Sequence, residues 1–227
     1  MHKRLSLLIG ALLLLACFAS TFCPYLQSLP VARAAQGSEA ESLINRIESR
    51  YGRMRGLAAD FEQVYRGADR RERRERGRLF LVRPRRMRWE YEAGKLFVVN
   101  GRDVWFYVPA DREATHAETN AVSDARFPFL FLLGQLNLRR QFRSISFADS
   151  REAADGTRTL RLVPGAGGLR EVYLTVYADG RISKVSFTDE AGATSEVTLT
   201  NLRENYVAPP EAFDFRPPPG VTVRRQK

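Results

Sequence analysis

Cysteine and histidine are nearly absent from this chain of 227 residues, which holds two of each: Cys17, Cys23, His2 and His116. Both cysteines fall within residues 1–34, so a chain cut after Ala34 has no thiol nucleophile, thiolate metal site or disulfide. His116 stands alone in a polar segment. Glu113 and Glu118 flank it without ligand spacing, so no metal centre and no cofactor are expected. No G-x-S-x-G, glycine-rich phosphate loop or H-E-x-x-H occurs. Asp60 and Glu62 share one face of a strand pattern, which makes a charged surface and not an acid/base pair held across a cleft. These absences point away from an enzyme. Neither an internal repeat nor a domain linker is visible, and the length suits one domain with a sizeable core.

Long apolar runs are equally scarce. The longest, Leu5 to about Ala19, follows basic His2-Lys3-Arg4 and is shorter than the ~20 residues of a helical membrane span. It has the form of a secretory n-region and h-region. Two exits are open: cleavage after Ala32-Arg33-Ala34, or a lipobox-like Leu14-Leu15-Ala16-Cys17 that would make Cys17 a lipidated N-terminus. A retained anchor is a third reading. The preferred organisation is a signal peptide over residues 1–34 and one domain over 35–227.

Positive charge is in excess, at +10. A chain starting at Ala35 loses Lys3, Arg4 and Arg33 and no acid, which leaves +7. Arg66 to Arg88 contains eleven arginines against three acids. Such a patch suits nucleic acid, anionic lipid or an acidic partner, or simply a solvated loop. An exported chain does not meet nucleic acid, so that partner is not expected.

What is abundant is β pattern. Gly77 to Pro109 holds four short runs rich in Leu, Val, Phe, Trp and Tyr, separated by Arg83-Pro84, Ala93-Gly94 and Asn100-Gly101, the pattern of an antiparallel meander. Met87, Trp89 and Tyr91 share one parity; Arg88, Glu90 and Glu92 share the other. Ahead of it, Ser38 to Glu41 fits a capping box, and Leu43, Ile44, Ile47, Tyr51 and Met54 recur at helical spacing. Leu57 to Tyr65 alternates as a strand. Arg66 to Arg76 reads as an exposed loop. Thr115 to Ala117 reads as a short strand. The run Phe127 to Leu133 is apolar on all sides, and with Pro128 near its start it reads as a short helix able to plug a curved sheet. Strands are expected at Phe142–Phe147, Thr157–Val163, Leu169–Tyr177, Arg181–Thr188 and Thr194–Leu202, with a Pro-rich tail fastened by Phe213 and Phe215. The fold class is therefore mainly β (α+β): a strongly curved antiparallel sheet of about ten or eleven strands, with an N-terminal helix and a short apolar helix inserted midway. Strand count alone also permits a closed barrel.

The functional question turns on the apolar face. Leu81, Met87, Trp89, Tyr91, Phe97, Trp105 and Tyr107 come from neighbouring strands, and Phe129, Leu130 and Leu133 from the insert. They either fill a core or line a cavity for acyl chains. Arg83 follows Leu79 and Leu81 on one face. A buried arginine needs acceptors, and carbonyls of the insert are candidates, which would make Arg83 a latch; the alternative is a surface arginine.

Val82-Arg-Pro-Arg-Arg-Met-Arg-Trp89, Asn100 to Tyr107, Phe127 to Leu133 and the tail Pro217-Pro-Pro-Gly-Val-Thr-Val223 together resemble the bacterial outer-membrane lipoprotein carrier family (LolA-like proteins). No single motif is specific; the ordered, similarly spaced set is. The resemblance implies an incomplete barrel whose concave face is covered by helices acting as a lid, with residues 35–227 as the lipoprotein-carrier domain. It implies a monomeric periplasmic carrier of acylated lipoproteins that works between an inner-membrane ABC transporter and an outer-membrane receptor. In the family the arginine of the R-P pair, matched by Arg83, is implicated in closing the cavity, and Met87 matches a hydrophobic entry-side position. Two other readings stay open: a lipid-anchored receptor or sensor of the same fold, binding lipoprotein or lipopolysaccharide, and a solid-core envelope protein without ligand.

Overall fold

The computed structural model describes residues 29–119, 137–149, 152–165 and 168–226, with side chains from Gly37 onward. Helix α1 (Leu29–Arg53) precedes six strands: β1 (Gly56–Arg66), β2 (Glu72–Val82), β3 (Arg86–Tyr91), β4 (Leu96–Asn100), β5 (Asp103–Val108) and β6 (Glu113–Glu118). The one-turn helix α2 (Leu138–Gln141) opens the second run: β7 (Phe142–Phe147), β8 (Thr157–Pro164), β9 (Leu169–Tyr177), β10 (Ile182–Asp189) and β11 (Thr194–Glu204). The chain ends in β12 (Thr222–Arg225).

These strands form a single twelve-stranded sheet in the order β12-β6-β5-β4-β3-β2-β1-β11-β10-β9-β8-β7. The two halves are meanders of sequence neighbours, as short turns between alternating runs require. The pairing of β1 with β11, from Leu57↔Glu204 to Arg66↔Thr194, joins them. Among the described residues both ends of the order are unpaired, and the sheet is open and curved, not a closed barrel. The strand beyond the expected ten or eleven is β12, which pairs in parallel with β6 from Thr222↔Glu113 to Arg225↔His116. All its residues are exposed, so it carries no half-buried alternation for a sequence reading to find.

Two local expectations are corrected. Helix α1 begins at Leu29, so Ser38 to Glu41 lies inside it and caps nothing. The arginine-rich segment is mostly strand: β1 and β2 stay paired out to Arg66↔Glu72, and only residues 67–71 turn. Extended backbone separates like charges onto opposite faces, and acids on neighbouring strands pair with several of them, so the charge does not prevent pairing.

The core is one cluster against a single face of the sheet. The α1 stripe Leu43, Ile44, Ile47, Tyr51 and Met54 packs with Leu57, Leu79, Trp89, Val99, Leu174 and Val185. The β9–β10 turn approaches so closely that a Cβ on Gly180 (φ +82°) would lie 2.9 Å from the backbone of Arg46 and Ile47, so only glycine fits there. The opposite face of β2–β5 is covered by the C-terminal tail. Tyr206 packs on Phe80 (5.4 Å between ring centroids), Phe213 is buried, Ala212 O accepts from Arg88 Nη1, and Phe215 packs on Trp105 and Tyr107. Both phenylalanines thus fasten the tail.

Candidate functional site

The inner wall of β1–β5 is built by register. Ala59 faces Leu79, Leu79 faces Trp89, Trp89 faces Phe97, and Phe97 faces Phe106. Directly opposed residues share a face, so five strands place apolar side chains in one row. A second row runs from Leu57 through Leu81 and Met87 to Val99 and Val104. Leu81, Met87, Trp89 and Phe97 are all buried. At the end nearest the β1–β2 turn, Phe61 packs on Trp89 (4.6 Å) and edge-on to Tyr91 (5.1 Å). The phenol of Tyr91 donates to Gln63 Oε1 (3.2 Å), and Gln63 Nε2 donates to Ser195 Oγ (2.9 Å). Burial pushes the Tyr91 phenol well above its usual pKa, because the phenolate would lose its hydration there.

Trp105 and Tyr107 are not part of this wall. Val99 pairs with Val104, and such an odd-numbered step transfers the inward parity from odd to even residues. Trp105 therefore faces outward, stacked on His116 (4.3 Å) and against Phe215 (5.6 Å). Val104 and Phe106 take the inner places. Parity counted through the Asn100–Asp103 turn places Phe106 inward, a signal the sequence does contain. Phe129, Leu130 and Leu133 lie outside the described residues.

The apolar stripe in the C-terminal half of α1 belongs to the same buried cluster as this wall, and polar bonds tie the helix down. Arg83 Nη2 donates to Tyr51 O (2.7 Å) in the last turn of the helix. Burial draws the Arg83 pKa below its ordinary value. The insert carbonyls expected to bind Arg83 lie outside the described residues; the bond to α1 is an acceptor that the sequence reading did not foresee. The Tyr51 phenol accepts a buried bond from Ile182 N (3.0 Å), and burial pushes its pKa up to about 12. Arg50 bridges Glu204 on β11 and Asp179 in the β9–β10 turn. Further along the helix, Arg139 of α2 pairs with Glu41 and Glu48, and Glu48 Oε1 accepts from Leu138 N (2.7 Å).

Other features of the described residues are these. A groove of about 770 Å³ is lined by Asp60, Glu62, Arg76, Arg78, Glu90 and Glu92 together with Phe61 and Tyr91, so charged groups border the apolar end of the wall there. His116 Nε2 bonds Asp103 Oδ1 (2.8 Å) on the outer face. Among the described residues no group of three His, Cys, Asp or Glu side chains could hold a metal ion, and no helix is long and apolar enough to cross a membrane.

An open, curved antiparallel sheet with a bulky apolar inner face, packed against a helix held through polar ties, defines a class of binding scaffold. The family model for the outer membrane lipoprotein carrier protein LolA matches residues 53–216, and the chain belongs to that family. It is 31% identical over 209 residues to an outer-membrane lipoprotein carrier protein of Methylococcus capsulatus, covering 89% of this chain and 98% of the relative. It is 23% identical over 205 residues to one of Chromobacterium violaceum, covering 88% and 96%. Its fold is similar to the crystal structure of an uncharacterized conserved protein from Thermus thermophilus, with a TM-score of 0.51 at 16% identity over 82% of this chain and 99% of that one.

Proposed function

We propose that this chain is a periplasmic carrier that shields the acyl chains of lipoproteins against the inner wall of β1–β5. It would receive them from an inner-membrane ABC transporter and hand them to an outer-membrane receptor, working as a monomer and by differential binding rather than covalent chemistry. The observation that carries the reading is the nature of the cover. A continuous wall built on Leu81, Met87, Trp89 and Phe97 lies under a helix whose last turns are tied by Arg83, Tyr51 and Arg50. Family membership and the carrier names of the relatives support it.

The energetics favour exchange. Each methylene taken from water contributes about 0.8 kcal/mol, so one long acyl chain contributes roughly 10 kcal/mol before ordering terms. Lifting the end of α1 breaks ties of about 0.5–3 kcal/mol each and exposes its stripe. Several chains on the wall outweigh that. In this reading Leu81, Met87, Trp89, Tyr91 and Phe97, with Phe129, Leu130 and Leu133 of the insert, contact acyl chains, and Arg83 is the latch.

The test is release. Residues 35–227 are added to spheroplasts producing a labelled outer-membrane lipoprotein. A soluble one-to-one complex that forms with acylated cargo and not with an unacylated version is the expected result. Absence of release with the cognate transporter present would overturn the reading.

A further inference from the structure

The β1–β2 hairpin carries a feature that acyl binding leaves unused. Between Arg66 and Arg78 it holds seven arginines and three acids. β3 ends at Tyr91, opposite Gly77, so among the described residues no strand pairs residues 72–75 of β2 on that side, while β1 stays paired with β11 out to Arg66↔Thr194; residues 67–71 turn beyond that last pair. The hairpin's guanidinium groups are held loosely. The side chain of Arg71 is 89% exposed and those of Arg74, Arg76 and Arg78 are 60–66% exposed. Their ion pairs, with Asp69, Glu62, Glu72 and Glu90, are of the surface kind that exchange partners at little cost. Arg73 stacks over Tyr65 (5.0 Å), and Arg70 sits at the tip with φ 62°.

We infer that this hairpin docks on the anionic phospholipid headgroups of a bilayer. Arginine matches phosphate as a fork with parallel donors. Arg66, Arg74, Arg76 and Arg78 leave one face of the ribbon, Arg71 and Arg73 the other, and Arg70 the tip. A single complementary patch on a protein would engage one of these faces. A plane of headgroups accepts the tip and both flanks at any roll angle, which selects lipid over an acidic protein. The hairpin also springs from the end of the wall where Phe61, Trp89 and Tyr91 meet. Docking would therefore bring that end of the wall to the surface where acyl chains leave or enter the membrane. This inference rests on the acyl-carrier reading for its purpose, not for its chemistry.

The experiment is co-sedimentation of residues 35–227 with vesicles of phosphatidylglycerol in phosphatidylcholine, and of phosphatidylcholine alone, at low and high salt. Binding only to the anionic vesicles, lost at high salt, is expected. The triple variant Arg70→Glu, Arg71→Glu, Arg73→Glu should weaken it about a hundredfold or more, since each arginine near an anionic surface is worth about a factor of five. A fluorescent fatty acid should bind the variant as it binds the parent, which separates this inference from the carrier reading. No preference for anionic vesicles, or a preference untouched by the triple variant, overturns it. So does salt-sensitive capture by an acidic membrane-protein domain without vesicle binding.

Discussion

Tyr51→Phe removes one oxygen and tests whether α1 is a movable cover. The phenol accepts from Ile182 N inside the core, so its loss leaves a buried amide without a partner among the described residues. That costs about 1–3 kcal/mol. In a chain of this size the melting temperature should fall by about 5 °C. The alkaline limb gives an independent check. The folded pKa of Tyr51 is raised from 10.0 to about 12 by burial, so the folded state holds that proton across the interval and the unfolded state does not. Stability is unaffected by this group below the unfolded pKa and declines by up to about 1.4 kcal/mol per pH unit between the two values. The phenylalanine variant lacks this component and should show a shallower decline. If lifting α1 admits the ligand, the same loss favours the open form, and the dissociation constant of a fluorescent fatty acid should drop by about tenfold for each 1.4 kcal/mol by which the variant destabilises closure relative to opening. The assays are urea unfolding at neutral and alkaline pH and a fluorescence titration. A variant destabilised as expected but with unchanged ligand affinity would refute α1 as the gate.

Arg83→Leu should raise ligand affinity and slow cargo release, because Tyr51 O loses its guanidinium donor; an unchanged transfer rate in the spheroplast assay removes Arg83 from the latch role. Gly180→Ala should lower the melting temperature by several degrees, since the added Cβ meets the backbone of Arg46 and Ile47 at a positive φ. Asp103→Asn should flatten the acid limb of stability. The bond from His116 lowers the Asp103 pKa, so its contribution is present above the unfolded carboxylate value and is lost as pH falls through the lower folded one. Acid titration followed by tryptophan fluorescence reads this, because Trp105 stacks on His116.

The meander was legible because its signals were local. Alternation set the strands, and Asp155-Gly156, Asp179-Gly180 and Glu190 to Gly192 set the turns, each now seen with its glycine at positive φ. The wall residues of β2, β3 and the start of β4 followed from parity. Local signals fail where the information is not local. Trp105 and Tyr107 were placed by a parity that the Asn100–Asp103 turn reverses. The arginine-rich segment looked like a loop because charge density hides a β ladder whose partners, such as Glu62 for Arg74 and Arg76, lie on the strand before it. The acceptor for Arg83 sits 32 residues away, and the helical stripe that contains Tyr51 does not say which loop its backbone meets. β12 is exposed throughout, so burial left no trace of it in the sequence.

The two faces of β2–β5 are covered in physically different ways, and that difference predicts different responses to injury. Inside, α1 meets the wall with aliphatic side chains and is located by directional polar ties at Tyr51, Arg50 and Arg83. Such ties break singly and re-form with water. Outside, the tail is held by Phe213, which is 1% exposed, and by the packing of Phe215 on Trp105 and Tyr107. Those contacts cannot be handed to water at low cost. Phe213→Ala should therefore remove about 3–5 kcal/mol through lost burial and a cavity, and the loss should appear as global unfolding at lower urea with an unchanged slope. Ligand affinity at concentrations of urea where the variant remains folded should match the parent, because the inner wall and its cover are untouched. Hydrogen exchange then separates the faces: the amide of Ile182 should exchange faster in Tyr51→Phe through local opening, whereas in Phe213→Ala it should exchange no faster than the global stability dictates. Equal local acceleration at Ile182 in both variants would mean that helix and sheet open as one unit, and a carrier whose cover cannot move separately from its frame could not exchange helix for cargo.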